Sequence, residues 1–83
     1  MTQWRYHLAI KDLFTDDDDV TDMEARRIGK QIAERLKGSR DYPADYELQR
    51  IADFFADAES VDEVNDSLVD LYDWADMNLV WIA

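Results

Sequence analysis

The chain has no cysteine, one histidine, one proline and two glycines. Each shortage removes a class of function. Without cysteine there is neither a disulfide framework nor a thiolate metal centre. A chain of 83 residues buries only about 60–65% of its unfolded surface, so it depends on its apolar core or on association. A Ser-His-Asp triad would have to use His7, which falls on the polar side of an alternating segment and is expected to be a surface residue. Two glycines, Gly29 and Gly38, cannot build a glycine-rich phosphate cradle, and HExxH, CxxC, P-loop and GxGxxG motifs are all absent.

Positive charge is also scarce. Nine Lys and Arg stand against twenty Asp and Glu, a formal net charge of −11. That balance argues against direct contact with nucleic acid or an anionic membrane surface and favours a basic protein partner, a nucleic-acid-binding host protein among the candidates. No apolar run approaches the ~18 residues of a membrane span. The N-terminus shows no apolar leader with a small-residue cleavage site, so a cytoplasmic location is expected. A catalytic carboxylate needs a desolvated pocket, which a core this small has little room for. The expectation is a binding protein, not an enzyme, with no catalytic residues, cofactor or metal.

Large apolar residues are plentiful: apolar content is 47%, with three Trp, four Tyr and three Phe, too rich for a disordered acidic tail. Residues 3–11 alternate, with Trp4, Tyr6, Leu8 and Ile10 on one side, which predicts a half-buried strand that Leu13 and Phe14 continue into the core. Residues 15–20 (TDDDDV) predict a charged loop. Its run Asp16-Asp17-Asp18-Asp19 fits no EF-hand register, since the glycine and the closing glutamate are missing. Thr21 and Glu24 form a capping-box pattern that opens a helix running to about Lys37, with Ala25, Ile28, Ile32 and Leu36 inward and Gly38 ending it. A second helix is expected from about Ala44 to Ala58, with Pro43 in its first turn and Leu48, Ile51, Ala52 and Phe55 inward. Ser60 and Glu63 open a third, to about Met77, with Val61, Val64, Leu68, Leu71 and Ala75 inward and Asn78 as its left-handed terminator. Residues 79–82 (LVWI) predict a short C-terminal strand.

The order β-α-α-α-β makes one small acidic α+β domain over residues 1–83. An odd number of antiparallel helices returns the chain to its starting end, so the two strands should pair in parallel with three helices on one face. Such a sheet leaves two edges unpaired, which invites a homodimer.

Charge placement gives the sharpest functional signal. Asp62, Asp66, Asp70 and Asp73 recur every three or four residues on the third helix, and Asp53 and Asp57 form an i, i+4 pair on the second. Like charges at that spacing destabilise a helix by roughly 0.2–0.5 kcal/mol per pair. Asp57, Asp70, Asp73 and Asp76 also sit toward helix C-termini, against the macrodipole. A solvated face or adaptation to high salt would produce acidic helices too. Broken local rules tend to mark function, so these six aspartates are the candidate partner-binding surface. The basic run of the first helix, Arg26, Arg27, Lys30 and Arg35, is expected to pair with acidic groups of the same chain or of a second copy.

The ending LYDWADMNLVWI and the opening LFTDDDDV resemble those of short phage and prophage proteins. Compact acidic phage proteins include anti-CRISPR and anti-restriction inhibitors, several of which imitate DNA in charge. The resemblance implies an inhibitor that blocks a basic groove of a host defence protein such as a CRISPR effector or nuclease, in the host cytosol. It carries over no site residues. The alternative is a structural or adaptor module acting through an edge strand or an aromatic patch built from Trp4, Tyr72, Trp74 or Trp81.

Overall fold

In the computed structural model, which describes residues 3–14 and 20–83, strand β1 (Tyr6–Leu8) leads through a short 3-10 turn (Lys11–Leu13) to helices α1 (Asp22–Lys37), α2 (Tyr46–Asp57) and α3 (Val61–Asn78). Strand β2 (Val80–Ile82) follows. β1 and β2 pair in parallel, Tyr6 opposite Val80, His7 opposite Trp81 and Leu8 opposite Ile82. The acidic run 16–19 lies outside the described residues.

Each helix starts where a short polar side chain accepts an orphan N–H. Thr21 accepts from Glu24 N–H, and Ser60 from Glu63 N–H. The Glu63 carboxylate reaches back to the Glu59 N–H. Asp22 accepts the Val61 N–H at 3.0 Å, which joins the starting ends of α1 and α3 and makes those helices run together, with α2 returning between them. α2 starts later than expected. Asp45 caps it by accepting the Leu48 N–H, and Pro43 stays in the preceding turn, because a carboxylate at the cap satisfies a donor that proline merely lacks.

Leu8, Ile10, Ile28, Ile32, Leu36, Leu48, Ile51, Phe55, Leu71, Val80 and Ile82 form the core. Three expectations about it need correction. Leu68 is only partly buried against the cluster, because α3 turns Ser67 and Trp74 inward beside the expected Val64, Leu71 and Ala75. Trp4 does not extend the buried side of β1. The chain bends at Arg5, and the Trp4 ring lies against Trp81, 5.2 Å between centroids. Leu79, not Asn78, takes the left-handed conformation that ends α3, with φ 56° and ψ 45°. Asn78 stays helical and donates its amide to the Trp74 carbonyl at 2.8 Å.

Candidate acidic groove between α2 and α3

α2 and α3 are antiparallel neighbours joined by a tight link. Between the C-terminal end of α2 and the first half of α3 lies a groove of about 360 Å³. Its lining is Phe54, Asp57 and Ala58 from the α2 side, and Glu63, Asp66, Ser67 and Asp70 from α3. Phe54 is 47% exposed because it stands one position off the buried stripe of Leu48, Ile51, Ala52 and Phe55. Ser67 is buried, its hydroxyl donating to the Glu63 carbonyl at 2.9 Å. The groove therefore combines apolar surface with carboxylates, and among the described residues no cation lines it, although the Arg50 guanidinium stands 5.9 Å from the Phe54 ring centroid.

Of the six candidate aspartates, the structure gathers Asp57, Asp66 and Asp70 into this groove. Asp73 borders a separate hollow with Asp45, Glu47, Trp74 and Met77. Asp53 and Asp62 are exposed but line neither. None of the six makes an ion pair with a described residue; the ion pairs there are Arg5–Asp41, Arg35–Asp12 and Lys37–Glu34. From the spacing 62, 66, 70, 73 the groove uses Asp66 and Asp70, and it takes Glu63 where the spacing offered Asp62 and Asp73. Glu63 belongs to the capping pattern with Ser60, and Phe54 stands beside the inward stripe of α2, so a spacing of aspartates alone points to neither. The spacing of 63, 66 and 70 was the available signal.

One part of the sequence argument weakens. The carboxylates near the C-termini of α2 and α3 do have compensation, supplied from distant residues. Arg5 donates to the Asn78 carbonyl at the end of α3 at 3.1 Å, and Arg26 donates to the Glu59 carbonyl just past α2 at 3.1 Å. The Arg5 cation satisfies an orphan acceptor of α3 and opposes the negative end of its dipole, while Arg26 places a cation just beyond the end of α2.

The basic residues are partly consumed in this way. Arg35 makes a two-pronged pair with Asp12, at 3.0 and 3.1 Å, and donates to the Ala9 carbonyl. Arg5 grips both oxygens of Asp41, at 2.7 and 2.9 Å. The Tyr6 hydroxyl donates to Asp41 and shares a hydrogen bond with Ser39. The Arg5 contact holds the Asp41 carboxyl below its ordinary range, and burial pushes the Tyr6 hydroxyl up. This cluster borders a hollow of about 530 Å³, but its charges are already paired, so it offers less to a ligand than the groove.

The aromatic candidates divide. Trp74 is buried, its indole N–H donating to Asp45 at 2.9 Å, so it belongs to the core. Trp4, Tyr72 and Trp81 line a smaller cleft with Lys11 and Asp76. His7 is exposed on the helix-free side of the sheet. Among the described residues no three His, Asp or Glu side chains converge as metal ligands, and no helix is long and apolar enough to cross a membrane. The chain matches no protein-family model, no curated protein and no solved structure.

Proposed function

We propose that the protein is a protein-binding inhibitor of the phage type, whose α2–α3 groove engages a basic, nucleic-acid-binding surface of a host defence protein such as a CRISPR effector or nuclease. The observation that carries this reading is the groove's composition: Asp57, Glu63, Asp66 and Asp70 line it together with Phe54 and Ala58, with no cation among the described lining residues. Lys and Arg side chains form charge-assisted bonds to such carboxylates, and the stems of those side chains cover apolar surface while their heads stay on the acidic rim. The chain's own Arg50 guanidinium lies 5.9 Å from the Phe54 ring centroid, so a partner guanidinium would compete with it for this ring. The surrounding net charge of −11 raises the encounter rate with a cation-lined partner.

A titration of the isotope-labelled protein with an arginine-rich peptide, read by amide NMR shifts, tests the reading. Shifts should gather at residues 54–58 and 63–70. Changing Asp57, Asp66 and Asp70 together to Asn should weaken binding by at least about tenfold, a loss of ~1.4 kcal/mol. The matched change at Asp53, Asp62 and Asp73 should cost much less. Equal losses from the two triples would mean that diffuse charge attracts the peptide and that the groove has no special part. The inhibitor role needs a second readout: the protein should displace DNA from a purified CRISPR effector or nuclease, and the groove triple should fail to.

A further inference from the structure

We infer that β2 is a dimerisation edge, at which two copies pair their β2 strands antiparallel across a two-fold axis. Among the described residues the sheet has two strands. Residues of a parallel pair direct their backbone groups alternately toward and away from the neighbouring strand. The Leu79 carbonyl accepts from Arg5 N–H, the Ala83 N–H donates to the Leu8 carbonyl, and the Ala83 carbonyl accepts from Ile10 and Lys11. Residues 79 and 83 thus face β1, so Val80 and Ile82 direct their N–H and C=O groups to the outer edge. A second β2 centred on Trp81 would place Val80 opposite the Ile82 of the other copy, and Ile82 opposite its Val80. Each such pair exchanges two backbone hydrogen bonds, and the sheet becomes four-stranded.

The side chains around this edge suit a second copy of the same chain. Trp81, 45% exposed, falls at the centre, opposite its own counterpart at a non-hydrogen-bonded position, where side chains approach most closely. Trp4 already lies against it. The cleft beside β2 holds one cation and one anion, Lys11 and Asp76, at opposite ends of the strand. Lys11 is bonded through its N–H to Ala83 where β2 finishes, and Asp76 stands on the last turn of α3, just before β2 begins. An antiparallel two-fold brings the Lys11 end of one copy to the Asp76 end of the other, twice per dimer, as an isologous interface requires. This locally balanced cleft is a place where two copies of a −11 chain can approach closely.

The test is the mass in solution by sedimentation. Pairing of two acidic copies should strengthen with salt, because the Debye length falls from about 30 Å at 0.01 M to about 3 Å at 1 M. The mass should therefore rise from 9.8 kDa toward twice that at high salt and high protein concentration. Trp81→Lys should abolish the rise. Should that variant fail to fold, exposed residues provide an independent test at about 0.15 M salt: Asp76→Lys should weaken association by about tenfold, and adding Lys11→Asp should restore it. The Asn triple in the acidic groove should leave the dimer intact, so that this inference and the groove reading fail separately. A mass of 9.8 kDa at every salt concentration, or a charge swap that does not restore association, overturns the arrangement.

Discussion

Asp45 serves two partners with its two oxygens: one caps α2 through the Leu48 N–H, the other receives the Trp74 indole N–H. Replacing Trp74 with Phe keeps most of the buried ring but removes that donor to a carboxylate. It should cost about 1.5–3 kcal/mol in denaturant unfolding; a loss within error would mean that water replaces the indole without penalty. Asp41 gives a prediction in pH. Arg5 holds its carboxyl below the ordinary value of 3.8, so the folded state binds this proton less readily than the unfolded one. The resulting stability is fully present above 3.8 and is lost as pH falls from there through the lower folded value. Asp41→Asn removes the titration, so the stability gap between parent and variant should narrow on acidification across that interval. A gap that stays constant would show that Arg5 does not bias the carboxyl.

α1 and α2 approach closely because Gly29 has no side chain. A methyl built there would lie 2.5 Å from the Phe55 carbonyl oxygen, a backbone atom that cannot swing aside. On propensity alone Gly29→Ala would stabilise α1 by about 0.8–1.0 kcal/mol. Overpacking costs typically about 1–3 kcal/mol, so the variant should be net less stable by thermal melt, and a gain would show that the helices separate freely. The same element scale separates Leu71 from Leu68. Leu71 is fully buried in α3 while Leu68 is only partly so. Leu71→Ala should cost about 2–5 kcal/mol, a large share of a small domain's stability, and Leu68→Ala clearly less. Ser60→Ala should cost about 1 kcal/mol through its cap.

For the whole molecule the charge excess sets the response to salt. Few cations offset twenty acidic groups, and α3 carries Asp62, Asp66, Asp70 and Asp73 with no ion-pair partner among the described residues. Compacting like charges is unfavourable, and added salt screens the repulsion. The melting temperature should therefore rise between about 0.01 M and 0.5 M sodium chloride. The Asn triple at Asp57, Asp66 and Asp70 should be slightly more stable than the parent at low salt. A melting temperature independent of salt would remove self-repulsion as a term in this fold. Salt thereby divides the two surfaces: binding at the groove should weaken with it, while association through β2 should strengthen.

The sequence alone determined the element order, the parallel pairing of the terminal strands and most of the core, because those rest on local signals. Alternation, helical spacing and the caps at Thr21 and Ser60 are written within a few neighbouring residues, and an odd number of antiparallel helices leaves one direction for the second strand. Long-range contacts decided the rest. Trp74, from another helix, finds its partner in the free oxygen of the Asp45 carboxylate that caps α2. Trp74 and Leu68 exchanged expected places because the inward side of α3 depends on where β2 and α2 lie. The acidic stripe was legible, but which of its members form a groove was not. Asp57 joins Asp66 and Asp70 only through the angle between α2 and α3. Arg5 and Arg26 reach the ends of α3 and α2 across stretches of chain that no local pattern connects.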